Sequence, residues 1–160
     1  MKWFEKVFHI EEVRAHCDIP CGIYDPMTAQ IAALTTVRMM DQMKETLEGD
    51  GDTIEKRNKF ARLVQVKEEH AEKAKHEIRV IWGDFIKPDH VEKYPDIHKL
   101  AHEIMMQGSK VKQGTNREDA VKFVELINEF AKIFWEIKGE DVLEKEAPYP
   151  PNLPLVYRKI

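Results

Sequence analysis

Four stretches of the chain repeat apolar residues at steps of three or four, and this helical period constrains the fold more than any other feature. The first stretch begins with Asp25 as N-cap and Pro26 at the first helical position, and it ends at Gly49 and Gly51. Its apolar stripe comprises Met27, Ile31, Leu34, Val37, Met40, Met43 and Leu47. Methionines at this spacing indicate core packing rather than copper ligands.

A second, long helix is predicted downstream of the glycines. Asp52 and Glu55 have capping-box spacing, and the helix runs to about Ile86, where Lys87 precedes Pro88. Its predicted apolar face comprises Ile54, Phe60, Leu63, Val66, Ala71, Ala74, Ile78, Ile81 and Phe85. Residues 88–95, with a proline at each end, are predicted to form a loop.

Two more helices complete the pattern. The third begins at Asp96 and ends near Gly114, and the fourth is capped by Thr115 with Glu118 and ends before Gly139. Four helices with short links predict an all-α fold, an antiparallel up-down four-helix bundle.

Composition excludes several classes of protein. The chain has 160 residues with 42% hydrophobic and 34% charged residues, which predicts one helix-rich globular domain. Its net charge of −4, with basic and acidic residues interleaved, gives no reason to expect a nucleic-acid partner. No apolar run approaches the roughly 18 residues that a membrane helix needs, so we expect no membrane partner and a cytoplasmic location.

Both cysteines lie near the start of the chain, in residues 16–26, which read HCDIPCGIYDP. Thiolate and imidazole bind late first-row transition metals, and Pro20 argues against a helix, so the segment predicts a short hook around one ion. His16, Cys17 and Cys21 supply one side-chain ligand fewer than a closed zinc site needs. If the chain is cut before His16, a free amine, an amide nitrogen and two thiolates make a planar set that suits Ni(II) or Cu(II). A Cys17–Cys21 disulfide is the alternative.

Other histidines are weaker candidates for metal ligands. His98 and His102 are four apart and share a helical face, but no acid-bearing HExxH pattern accompanies them. We interpret both as surface residues. The isolated His70 and His76 are interpreted as solvated or internally satisfied.

The hook is similar to the mature N-terminus of the nickel-containing superoxide dismutases and matches that motif at every fixed position. Further matches follow in residues 82–88, 92–95 and 133–136, which read WGDFIKP, EKYP and IFWE. The resemblance covers roughly residues 16–138. It implies disproportionation of superoxide to oxygen and hydrogen peroxide, with a nickel ion cycling between Ni(II) and Ni(III).

The resemblance also implies a ligand set. His16 provides its amine in the plane and its imidazole as an axial ligand, Cys17 provides backbone nitrogen and sulfur, and Cys21 provides sulfur. Tyr24 is implied at the mouth of the site, where it orders water or substrate without binding the metal. Asp18 and Pro20 are implied to hold the shape of the hook.

Three positions depart from the family pattern. The chain has Ala32 where many members have a glutamate that hydrogen-bonds the axial imidazole, His70 where they have an arginine, and Phe85 where they have a second tyrosine. The ligands are retained, so we expect the reaction class to stand with different tuning of His16. From charge alone, Lys87 is a candidate for focusing the superoxide anion.

Three segments are expected from the resemblance and the composition. Residues 1–15 lack the pattern of a secretory signal and are expected to be a leader that a maturation peptidase removes; the alternative is a first helix on the core. Residues 16–139 are expected to hold the nickel hook and the bundle. Residues 140–160 are rich in proline and are expected to form an extended arm on the chain's own bundle or on a neighbouring subunit. The resemblance implies a homohexamer.

Two other functions compete with the enzyme. The first is a non-catalytic helical protein that binds nickel, copper or zinc through His16, Cys17 and Cys21. The second is a helical interaction module in which the two cysteines form a redox-labile clip.

Overall fold

The computed structural model describes residues 22–48 and 51–159, and this part of the chain is mostly helical. Its five α-helices are α1 (Met27–Glu48), α2 (Ile54–Val80), α3 (Pro88–Lys93), α4 (Ile97–Gln113) and α5 (Arg117–Ile137). A π-helical turn, Ile81–Phe85, follows α2 directly, and two strands, β1 (Val142–Glu146) and β2 (Pro154–Arg158), follow α5. The predicted leader and the cysteine-containing part of the hook lie outside the described residues.

The four long helices pack in a closed order. Helix α1 contacts α2 and α5, and α4 contacts the same two helices. The core between them is built on three fully buried phenylalanines of α5, Phe123, Phe130 and Phe134. Each such ring removes a large apolar surface from water, so α5 contributes the largest side chains of the core.

Helix α1 begins as predicted, but its buried face is rotated from the predicted stripe. The Met27 amide donates to the Asp25 carboxylate at 2.7 Å, which confirms the N-cap. Ile31 and Leu47 are wrong as core residues, since they are 44% and 64% exposed. The buried face instead includes small and polar residues, namely Ala29, Gln30, Ala32, Ala33 and Thr36. A stripe drawn through the large apolar side chains misses these residues, which let neighbouring elements approach closely.

The long second helix differs from the prediction at both ends. Thr53, not Asp52, is the N-cap: its hydroxyl accepts from the Lys56 amide at 3.2 Å. The α-helix stops at Val80, and the π-helical turn closes with the Ile86 amide donating to the Ile81 carbonyl at 3.3 Å. Ile81 and Ile86 are both buried, and their five-residue spacing suits the wider turn.

The segment between α2 and α4 also differs from the prediction. The predicted loop contains α3, which begins at Pro88, because proline is well suited to the first helical position. The ring Nδ1 of His90 accepts from the Lys87 amide at 3.1 Å and so satisfies a donor at this helix start.

The ends of α4 and α5 depend on polar side chains. Asn116, rather than Thr115, caps α5, with its side-chain oxygen accepting from the Glu118 amide at 3.1 Å. The buried Lys67 ammonium of α2 donates to the carbonyls of Val111, Lys112 and Gly114 at 3.0, 2.7 and 2.8 Å. These bonds satisfy carbonyls that the end of α4 leaves free. Burial lowers the pKa of the Lys67 ammonium.

The all-α prediction is wrong at the C-terminus, where β1 and β2 form an antiparallel hairpin. Leu143 pairs with Tyr157 and Lys145 with Leu155. Leu155 and Val156 are fully buried, because β2 packs on α1 and α5. The prolines exclude a helix as expected, and the arm lies on its own bundle, which was one of the two predicted alternatives.

Candidate functional site

The described part of the hook leads into α1 through a tight turn. Gly22 has φ +80°, a left-handed conformation that glycine adopts without steric cost. Ile23 is 77% exposed, whereas Tyr24 is half-buried. Asp25 then caps α1. Within this part of the hook, Tyr24 packs through its ring and Pro26 is buried at the start of α1.

Tyr24 packs on a cluster of rings centred on Phe85, the last residue of the π-helical turn. The ring centroids of Tyr24 and Phe85 are 5.8 Å apart with planes tilted by 52°. On its other sides Phe85 contacts Phe134 of α5 at 4.8 Å and stacks on His90 of α3 at 5.4 Å. Tilted and offset ring pairs are favourable arrangements, so three separate elements fix the position of Tyr24.

The downstream segments that resemble the family meet at this cluster. Phe134 also contacts Trp135 edge-on, with centroids 5.0 Å apart. The Tyr94 hydroxyl donates to the Glu136 carboxylate at 2.9 Å, which ties the end of α3 to the end of α5. Segments widely separated in sequence therefore form one surface beneath Tyr24.

A cation that sequence reasoning missed lies beside this cluster. The Lys138 ammonium is 5.6 Å from the ring centroid of Phe85 and 5.8 Å from that of Phe134. Both distances are typical of cation–π contacts. Lys138 is also the C-cap of α5, where the helix dipole favours a positive charge, and that position was the available signal in the sequence. The predicted Lys87 is exposed one residue after the buried Ile86.

Of the predicted site residues, the structure describes Tyr24 alone. The predicted ligands and shape-holding residues lie outside the described residues, namely His16, Cys17, Asp18, Pro20 and Cys21. Their arrangement therefore stays a prediction. Within residues 22–48 and 51–159, no group of three or more His, Cys, Asp or Glu side chains is placed to hold a metal ion.

The histidines and two of the three positions that depart from the family pattern, Ala32 and His70, lie in ordinary helical surroundings, whereas the third, Phe85, is the centre of the ring cluster. Ala32 is buried, and His70 Nδ1 lies 2.8 Å from the Val66 carbonyl of its own helix. His98 and His102 are exposed, as predicted, and His98 Nδ1 accepts from the Trp82 indole at 2.8 Å.

The family model for nickel-containing superoxide dismutase matches residues 11–138. This match spans the hook, the π-helical turn and all five helices. The chain belongs to the nickel-containing superoxide dismutase family. Family membership favours the enzyme over the non-catalytic metal-binding alternative.

Curated relatives and solved structures agree with this assignment. The chain is 37% identical over 126 residues to the superoxide dismutase [Ni] of Streptomyces coelicolor, covering 79% of this chain and 90% of the relative. A similar protein from Streptomyces seoulensis is 37% identical over 127 residues, with 79% and 91% covered. A native nickel superoxide dismutase structure is 36% identical with a TM-score of 0.67, and the match covers 77% of this chain and 99% of that chain.

The hairpin lies beyond the region that the family model matches. None of the helices that the structure describes is both long and apolar enough to cross a membrane.

Proposed function

We propose that this chain is a nickel-dependent superoxide dismutase that converts two superoxide anions and two protons into oxygen and hydrogen peroxide. The observation that carries the proposal is the hook of residues 16–26, which lies inside the family match and carries two cysteines and a histidine at the family's spacing.

The chemistry of these donors fits nickel. His16, Cys17 and Cys21 would offer two thiolates together with imidazole and backbone nitrogen, and a set of nitrogen and sulfur donors suits a late first-row metal such as nickel. Anionic thiolates also stabilise a higher oxidation state. Nickel bound there would supply one-electron redox chemistry through its Ni(II) and Ni(III) states.

The protein's own groups then position the reactants. In the proposal, Tyr24 presents its hydroxyl at the mouth of the hook to order water or superoxide, while its ring is held by Phe85. Asp18 and Pro20 hold the turn between the two cysteines. The contact with Phe85 supports this role, because a hydroxyl orders its neighbours only when its own ring is fixed.

Positive charge beside the ring cluster suits an anionic substrate. The chain carries a net charge of −4, so superoxide meets an overall repulsive protein. Lys138, held over Phe85 and Phe134, and the exposed Lys87 provide a local attractive field near Tyr24.

The proposal extends to maturation, assembly and location. A peptidase removes residues 1–15 between Ala15 and His16, the four long helices form an antiparallel bundle, and the mature chain is a cytoplasmic homohexamer. The closed packing order of α1, α2, α4 and α5 supports the bundle. The family resemblance supports the leader and the hexamer.

The freed amine of His16 provides the direct test. With Ala15 attached, that nitrogen is an amide and a far poorer donor, so the uncut chain given nickel should be essentially inactive. Cleavage before His16 should switch on superoxide removal, measured by stopped-flow decay of superoxide with nickel content from the same sample.

A chain that begins with one extra alanine before His16 is the matched control, because it has a free amine at the wrong residue. It should remain inactive. Full activity in that control, or in a chain shown by mass to retain residues 1–15, would overturn the amine as a required ligand.

A further inference from the structure

We propose that the C-terminal hairpin, β1 and β2, fixes the position at which the hook joins α1, and we call this role a brace. Gln30 is the positioning residue through which the hairpin acts. This inference rests on the proposed function, since it concerns the site at which nickel is bound. It involves a segment that lies beyond the family match of residues 11–138.

Gln30 joins the hairpin to α1 with both atoms of its side-chain amide. Its Nε2 donates to the Val156 carbonyl at 3.0 Å, and its Oε1 accepts from the Val156 amide at 2.9 Å. The Gln30 side chain is fully buried. A buried amide paired in both directions fixes distance and orientation together, unlike apolar packing, which allows sliding.

The same residue closes the first turn of α1 on the last residue of the hook. The Gln30 backbone amide donates to the Pro26 carbonyl at 3.0 Å, and Pro26 is buried. Gln30 therefore holds Pro26 through its backbone and Val156 through its side chain. Loss of the Val156 pairing therefore releases the residue whose backbone holds Pro26.

The hairpin is itself well anchored, as a brace must be. Leu155 and Val156 are fully buried, and the Asn128 side chain of α5 donates to the Pro154 carbonyl at 2.8 Å. Asn128 holds the same strand, but it belongs to α5 and therefore links β2 to α5 and not to the start of α1. Variants of Gln30 and Asn128 can therefore distinguish an effect on the hook from an effect on attachment of the hairpin.

The test compares Gln30→Leu with Asn128→Leu, each of which replaces a buried amide by an apolar side chain. Hydrogen exchange of residues 22–30 is measured in the full 160-residue chain without metal. Loss of the Val156 pairing should speed exchange there by about tenfold in Gln30→Leu and leave it unchanged in Asn128→Leu. Deleting residues 140–160 should reproduce the Gln30→Leu result and provides a second variant should Gln30→Leu fold poorly.

Nickel retention is measured in the same variants after cleavage before His16. Gln30→Leu should lose nickel to a competing chelator about tenfold faster than wild type, in the range expected when an outer-shell support is removed, with altered thiolate-to-nickel absorption. Asn128→Leu should match wild type in both. Equal effects of the two variants, or unchanged exchange at residues 22–30 in Gln30→Leu, would overturn the brace.

The two proposals fail in distinguishable ways. A wild-type chain that neither holds nickel nor removes superoxide after cleavage contradicts the proposed function. The exchange comparison without metal still decides whether Gln30 and the hairpin fix the start of α1.

Discussion

The ring cluster beneath Tyr24 and the C-terminal hairpin both contact α5, but different forces hold them in place. In the cluster, Phe85 contacts Tyr24 and Phe134 through ring faces and edges. In the hairpin, buried amides of Gln30 and Asn128 bind the backbone of β2. Ring packing depends on large apolar residues, whereas amide pairing depends on a few polar atoms in the right place.

The difference matters because only one of the two regions lies within the residues that the family model matches. The cluster is assembled from segments that lie inside the family match, whereas the hairpin lies outside it. An added segment that is held through its own backbone needs few changes in the helices it covers, because one or two amide side chains suffice. Gln30 is such a point, because it presents an amide on the buried face of α1, next to small residues such as Ala29 and Ala33.

Substitution of a proposed nickel ligand should have the largest effect on activity, because neither the ring cluster nor the hairpin can supply a replacement donor. We expect Cys17→Ser to lower superoxide removal by more than the roughly 10–100-fold typical of an outer-shell change, because a nickel donor itself is lost. Helix content should stay unchanged, since the described core is built without Cys17. His98→Ala removes an exposed ligand-type side chain elsewhere and should be as active as wild type. Wild-type activity in Cys17→Ser would contradict the proposed site.

The next largest effect should come from the ring cluster, and a pair of phenylalanine variants distinguishes its role from that of the rest of the core. Phe134→Ala and Phe123→Ala each remove a fully buried ring from α5, and each should lower the free energy of unfolding by about 3–5 kcal/mol. Phe134 contacts Phe85, so that variant alone should also loosen Tyr24 and reduce activity measured well below the melting temperature. Equal activity in the two folded variants would mean that the cluster does not position Tyr24.

The sequence predicted the long helices well because their signals are local. Asp25 as N-cap of α1 and the start of α4 after Asp96 follow from caps and spacing that lie within a few residues. The enzyme class followed from a motif whose donor residues all lie within six positions, 16–21. These features need no knowledge of distant contacts.

The features that were missed depend on partners far along the chain. From its sequence context Lys67 is expected to be a solvated helix residue, because nothing nearby in the sequence indicates that the end of α4 lies beside it. The hairpin depends on Gln30, 126 residues from Val156, and an arm rich in proline gives only a weak strand signal. The π-helical turn also escaped prediction, because Ile81 and Phe85 fit a continuous helical stripe as well as they fit the wider turn.

A smaller effect should come from the charge beside the cluster. Lys138→Gln should slow superoxide removal by a few-fold at low ionic strength and weaken its dependence on salt, since the local field is reduced. Lys122→Gln removes the same charge near the start of α5, about 24 Å away at 1.5 Å per residue, and should have little effect. Identical salt dependence in the two variants would remove Lys138 from substrate guidance.

The smallest predicted effect is a pH dependence remote from both regions. Glu72 of α2 accepts from Arg79 at 2.8 Å and from Lys112 of α4 at 3.1 Å, and these bonds lower its pKa to about 2. A carboxyl group with a depressed folded-state pKa stabilises the protein above its unfolded pKa of about 4.3 and loses that contribution as pH falls toward 2. The side chain is 41% exposed, so solvent screening limits the contribution to about 1 kcal/mol.

Glu72→Gln should therefore unfold at lower denaturant concentration than wild type at pH 6, and the two curves should converge near pH 2 to 3. Glu45→Gln breaks a single, longer contact with Arg38 at 3.4 Å and should shift the pH 6 curve less. A Glu72→Gln curve that coincides with wild type at pH 6 would mean that the Glu72 carboxylate adds nothing to the contact between α2 and α4. In that case apolar packing, the Lys67 ammonium and the hydrogen bond from Lys75 to Ser109 would account for the contact.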